Sequence, residues 1–309
     1  MSNRQRYREL CRRVSLPLFS QDWWLDAVAG PDAWDAALVR DKTGIVASVP
    51  YVVRKVFPFR LLTMPRLTPR FHIWMDPPEG QKLSSFYSFE IRVLTELVED
   101  LPRFDRFHQK YSYALTNWLP FYWRGYCATT RYSYVLPDLS DLDSVYSGFR
   151  ENIRREIRKA LRAVQVEVTD NVDTFLDLGE MTFSRQGLRP SYSRQLVRRV
   201  DLACAERDRR RILLARDNAG RLHAALYLVW DDESAYYLLG GSDPELRTSG
   251  AASLLMWEAI RFAAGVCGVF DFEGSMIEPV ERFFRSFGAQ RVPYFGITKN
   301  RHLFKLLNF

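Results

Sequence analysis

Arg247-Thr248-Ser249-Gly250-Ala251-Ala252 opens the most telling segment of this chain. An apolar helical run follows, then Val269-Phe270-Asp271-Phe272-Glu273-Gly274-Ser275, then a helix that closes with Phe283-Phe284-Arg285-Ser286-Phe287-Gly288. The order is glycine turn, helix, strand, helix. Gly250 has no side chain, so a ligand can approach the backbone closely there. The turn feeds the first turn of a helix, where free N–H groups and the positive dipole end favour an anion. An anionic group docked at this turn lies near the end of the next strand, which carries Asp271 and Glu273. That arrangement suits transfer of a group from a phosphate-bearing donor.

Working outward, Val164, Val166 and Val168 alternate with polar residues, which predicts a strand. Helices are expected over 172–186 and 190–207, separated at Gly187 and Pro190. Arg211 to Arg216 and Leu222 to Trp230 read as a hairpin around Asp217-Asn218-Ala219-Gly220. A third strand runs from Ala235 to Gly240. Past the glycine turn come a helix over 251–264, a strand over 268–274, a helix over 278–287 and a strand over 291–298. The order is β-α-α-β-β-β-α-β-α-β.

This order, with Arg247-x-x-Gly250-x-Ala252 after the fourth strand, resembles the GNAT acyltransferase superfamily. The resemblance implies that Arg247, Ser249, Gly250, Ala251 and Ala252 hold the pyrophosphate of acetyl-CoA or another acyl-CoA. It also implies that the fourth strand stabilises charge on the acyl oxygen through N–H groups near Gly240 and Gly241. These two glycines would permit the splay that opens a donor slot. A narrower resemblance, to the Fem-type branch, rests on Asp271-Phe272-Glu273-Gly274-Ser275, on Phe284-Arg285-Ser286-Phe287-Gly288-Ala289 and on the basic helix that opens the second half. In the first half it extends through Pro65-Arg66-Leu67-Thr68-Pro69, Pro120-Phe121-Tyr122-Trp123-Arg124-Gly125-Tyr126 and Arg131-Tyr132-Ser133-Tyr134. It implies an α+β protein of two GNAT-like domains, each a mixed, mostly antiparallel sheet flanked by helices. Two departures stand out. Relatives often carry a glycine near Arg70-Phe71-His72. Many GNAT enzymes place a tyrosine general acid on the helix where this chain has Phe283 and Phe284. Tyr294, on the last strand, is the nearest substitute by sequence.

A length of 309 residues suits two domains of moderate size, and 47% hydrophobic with 26% charged residues describes a globular chain. The boundary is expected in the loop 137–143, giving domains 1–140 and 141–309, the second with the donor loop. The first half echoes the second, with a helix over 19–28, a hairpin of 34–40 and 44–53, a helix over 84–99 and a strand over 105–113. It has no Arg-x-x-Gly-x-Ala, so it reads as a degenerate copy that shapes the acceptor cleft between the domains. No stretch approaches the roughly 20 apolar residues of a membrane span. The start reads as no signal peptide. Cys11, Cys127, Cys204 and Cys267 are scattered, and His72, His108, His223 and His302 lie far apart. Neither set has metal-ligand spacing, so no metal is expected, and a reducing cytoplasm fits. His223 reads as a structural residue on a strand.

The net charge of +7 leans toward an anionic partner. In the helix over 148–163, Ile153, Ile157, Ala160, Leu161 and Val164 form an apolar face. Arg150, Arg154, Arg158 and Arg162 recur every four residues along its flank. This row is either a solvated surface or a cradle for an anionic acceptor or tRNA, since arginine forks bind phosphate bidentately. Glu151 is spaced to pair with Arg155. Arg207-Asp208-Arg209-Arg210-Arg211 sits at a helix end, where the dipole alone favours cations. Asp271 and Glu273 alternate on one strand and so should share a face. Glu273 is the candidate general base, unless one of the two simply pairs with Arg282 or Arg285. The expected function is transfer of an acyl group from acyl-CoA to an amine or hydroxyl of a small-molecule or peptide acceptor. The alternatives are a Fem-type aminoacyl-tRNA-dependent ligase and a GNAT fold used only for binding.

Overall fold

The computed structural model describes residues 1–185 and 192–301. The expected helix break at Gly187 and Pro190, and His302, lie outside the described residues. The chain forms two compact units, one of Met1–Arg131 together with the segment from Pro293, the other Tyr132–Val292. Each has its own hydrophobic core.

The first unit contains α1 (Asn3–Arg13), α2 (Asp22–Ala29), β1 (Trp34–Arg40), β2 (Ile45–Val56), β3 (Phe59–Thr63), β4 (Trp74–Met75), α3 (Leu83–Asp100), β5 (Arg106–Lys110) and α4 (Leu119–Trp123). β6 (Cys127–Leu136) carries the chain into the second unit. There follow α5 (Leu142–Ser147), α6 (Glu151–Ala160), β7 (Gln165–Thr169), α7 (Val172–Arg185), α8 (Arg194–Ala205), β8 (Arg210–Arg216), β9 (Leu222–Trp230), β10 (Ser234–Ser242), α9 (Ala251–Ala263), β11 (Val269–Asp271) and α10 (Glu278–Arg285). β12 (Gln290–Asn300) brings the chain back to the first. No described helix is long and apolar enough to cross a membrane.

In the first unit β1, β2 and β3 are antiparallel, β3 runs parallel to β5, and β5 is antiparallel to β12 from Gly296 to Asn300. In the second, β7, β8, β9 and β10 form an antiparallel run, β11 lies parallel to β10, and the end of β6 is antiparallel to β11. The strand pairing in each unit is mixed and mostly antiparallel, as expected. Alternation along β9 explains its two covers. Ala224, Leu226 and Leu228 join the core with α6 and α9. Tyr227 points the other way, against Phe175 of α7 and Asp201 of α8.

The compact units do not divide at 140/141. Tyr132–Leu136 pairs with β11 and so stays in the second unit, while the end of β12 completes the first unit's sheet. The chain therefore leaves the first unit once and returns. β11 is also shorter than expected, since it stops at Asp271. α1, β3, β4, α4, β6 and α5 are additions to the sequence reading.

Candidate active site

β10 and α9 build the site. β10 pairs with β11 over Ser234–Tyr236 only, then continues to Ser242 alongside β9. Its register with β9 slips between Tyr237 and Leu239, a bulge immediately after the strands part. The edge of β10 beyond Tyr236 is thus open on the β11 side, and every second residue there presents its backbone groups to the gap. A pocket of about 170 Å³ fills this gap. Gly240, Gly241 and Ser242 form one wall and Ala252, Leu255 and Met256 of α9 the other, with Tyr237 and Phe283 closing it. Gly240, Gly241 and Ala252, all chosen from sequence, therefore meet in one place.

Tyr237 was not chosen from sequence. A side chain at Gly240 would fall 1.8 Å from the Tyr237 hydroxyl oxygen, so this phenol occupies the space the glycine leaves. Its ring meets Phe284 edge-on at 5.7 Å. Burial pushes its pKa up to about 12, so it keeps its proton across the neutral range. Phe283 lines the pocket and Phe284 orients Tyr237, which gives both phenylalanines a place beside a phenol on another element.

The Arg247–Ala252 turn is held by α6. Arg247–Ser249 form a 3-10 turn and Gly250 is left-handed at φ 80°, which opens α9 without a side-chain cap. A side chain at Gly250 would lie 2.4 Å from the Glu156 carbonyl oxygen. The glycine therefore lets the turn pack closely on α6. Ser253 Oγ donates to Glu156 Oε2 at 2.5 Å, and Lys159 Nζ donates to the Thr248 carbonyl at 2.6 Å. Ser249 is buried, with Oγ accepting from the Ala251 N–H, while Arg247 and Ala252 are exposed and Ala252 lines the pocket.

Asp271 and Glu273 do not share a strand face. Asp271 ends β11 and is fully buried, accepting from Ser133 Oγ at 2.5 Å and from the Glu273 N–H at 2.8 Å. A carboxylate so enclosed fixes the turn and is out of reach of a substrate, which corrects its candidacy as a catalytic group. Glu273 lies beyond the strand at φ 64°, half-buried, and is not among the residues lining the pocket. A left-handed non-glycine residue stores strain, a mark of functional turns. Arg282 and Arg285 pair with Glu278 and Glu281 instead. Tyr294 belongs to the first unit and is 6% exposed, with the Arg70 guanidinium over its ring at 5.0 Å and Arg131 Nε donating to its hydroxyl at 3.4 Å.

On α6, Glu151 pairs with Arg154 at 2.9 Å and Arg158 at 2.5 Å, not with Arg155. One carboxylate thus takes up two of the four row arginines, while Arg150 precedes the helix and is exposed. The second basic cluster is structural. Arg209 pairs with Asp232, Arg210 with Asp170 and Asp201, and Arg211 lies over Phe262. His223 is buried with Nε2 3.1 Å from Asp217 Oδ2, and this contact helps hold the Asp217 carboxyl well below the usual range.

Residues 147–283 match the profile of the acetyltransferase (GNAT) domain family. No curated protein sequence matches the chain significantly. Among solved structures, FemX superposes with a TM-score of 0.68 at 13% identity, covering 99% of this chain and 98% of its own. The C-terminal domain of a protein assigned as a lysylphosphatidylglycerol synthetase of Agrobacterium fabrum gives 0.57 at 11% identity, over 99% and 93%. A tandem GNAT protein from the clavulanic acid biosynthesis pathway gives 0.50 at 12%, over 96% and 94%. Residues 147–283 thus carry the signature of a GNAT acetyltransferase domain. Over nearly the whole chain the fold is similar to that of FemX and of the tandem GNAT protein.

Proposed function

We propose that the second unit transfers an acyl group from acyl-CoA to an amine or hydroxyl acceptor. The observation that carries this reading is the pocket between the open edge of β10 and the first turns of α9. At about 170 Å³ it falls below the roughly 300–1,000 Å³ of ordinary small-molecule sites. It therefore suits a slender acyl-pantetheine arm better than a ring system. The donor's phosphates then sit at the α9 N-terminus, near Arg247 and Lys159, where the dipole and cations favour them. Of Gly240 and Gly241, the one whose N–H faces the gap takes up charge on the thioester oxygen. As the acceptor nitrogen attacks and the carbon–sulfur bond breaks, Glu273 takes the acceptor's proton and Tyr237 gives one to the departing sulfur.

Ala252 supplies the test because it lines the mouth yet is exposed, so a larger side chain there obstructs the pocket without disturbing the core. Calorimetry with acetyl-CoA should show binding by the wild type and none by Ala252→Phe, with equal thermal melting. Equal affinities would remove the pocket assignment. The alternative donor, aminoacyl-tRNA, draws support from the net charge of +7 and the exposed Arg150, Arg155, Lys159 and Arg162. A salt-sensitive tRNA mobility shift without acetyl-CoA binding would select it. In either case an anionic acceptor meets Arg150, with Arg154 and Arg158 available once Glu151 yields them.

A further inference from the structure

β2 outruns the core of the first unit. Its residues from Val46 to Val52 are buried, whereas Arg54, Lys55 and Val56 are exposed. Val56 stands opposite Phe59, so Phe57 and Pro58 form the tip of the hairpin with β3. Phe57 is 99% exposed, more than any other large hydrophobic side chain among the described residues, and Val56 is 43% exposed. Behind this tip lies a collar of cations. Lys55 is opposite Arg60, Arg54 is opposite Leu61, and all three charged residues are exposed. Between Asp41 and Asp76 the sequence has no acidic residue and six Lys or Arg residues. Asp105 accepts the Arg60 backbone N–H at 2.8 Å and so engages the main chain of the collar.

We propose that this hairpin tip is a contact with an anionic membrane surface, Phe57 and Val56 entering the headgroup–acyl boundary while Arg54, Lys55 and Arg60 engage lipid phosphates. An apolar element rimmed by cations binds such surfaces through buried area and attraction to anionic headgroups together. The size of the tip favours a lipid surface over a protein. A stable protein interface takes roughly 800 Å² from each partner. Two or three projecting side chains are too few for that, yet they suffice to enter lipid when cations assist. The inference concerns the first unit only and does not depend on the acyl-transfer reading.

The test is co-sedimentation of the full chain with vesicles of phosphatidylcholine alone or mixed equally with phosphatidylglycerol, at low and at physiological salt. The chain should sediment with the mixed vesicles, less so at higher salt, and little with phosphatidylcholine. Phe57→Ser should lower partitioning about tenfold by losing its apolar insertion. Arg54→Gln, Lys55→Gln and Arg60→Gln combined should bring binding down to the phosphatidylcholine level, since each cation is worth about fivefold. Arg12→Gln with Arg13→Gln, exposed cations elsewhere, should bind as the wild type does. The proposal is overturned if the wild type ignores the mixed vesicles, if Phe57→Ser binds undiminished, or if the Arg12/Arg13 control loses as much as the collar variant. It is equally overturned if the chain self-associates without vesicles and Phe57→Ser abolishes that, which would give the tip to a second copy.

Discussion

Gly240 and Gly250 use a missing side chain in different ways. At Gly250 the vacancy faces the Glu156 backbone, so it serves packing; at Gly240 it faces the Tyr237 phenol, so it serves the pocket. Tyr237 is the residue the sequence reading lacked, because a tyrosine on a strand has no periodic signature that separates it from a core residue. Its proposed role as proton donor has a direct consequence. Tyr237→Phe should lower kcat roughly 10²-fold with little change in donor KM, measured by steady-state acyl transfer, since only the hydroxyl is lost. Because the phenol keeps its proton up to about pH 12, wild-type activity should show no alkaline loss from this group below that range. Glu273→Gln should also lower kcat roughly 10²-fold and remove the acid limb of the pH–rate profile, while calorimetric donor affinity stays unchanged. A wild-type profile in that variant would leave the acceptor's proton to water or another group.

α6 was legible as an element and not as a brace. Ile153, Ile157 and Ala160 announced its buried face by their spacing, and they are buried. Its use by the donor loop depends on Glu156 and Lys159 meeting Ser253 and Thr248, partners about ninety residues away, and no local pattern encodes such a meeting. The same limit explains the Glu151 pairing. The i,i+4 rule pointed to Arg155, but Arg154 and Arg158 lie within reach of the carboxylate in the folded helix. α1 was readable in principle, since Ser2 and Gln5 form a capping box. Its run of charged residues masked an apolar face reduced to Tyr7 and Leu10. The brace leads to a stability prediction. Gly250→Ala should cost more than about 1 kcal/mol in chemical denaturation, because φ is 80° and the added carbon meets the α6 backbone. Donor affinity should fall alongside stability. Unchanged unfolding in that variant would mean that α6 and the loop can separate freely.

At the scale of the molecule, the order of elements in the second half was legible because strong apolar periods and glycine turns punctuate it. The boundary was not, because composition marks the loop 137–143 while the division into units follows strand pairing at Tyr132–Leu136 and Gly296–Asn300. The sequence order of the units is therefore first, second, first. That order has a mechanical consequence. A chain pulled by its two ends is gripped at both points through the first unit, with Asn3 in α1 and Asn300 in β12. Load must peel β12 from β5 before tension reaches Tyr132–Val292. In an optical trap the first rip should match the contour length of the first unit, and acetyl-CoA in solution should leave that rip's force unchanged while raising the force of the second. The order of domains along the polypeptide thus makes the second unit an insert, the last part of the molecule to feel a pull.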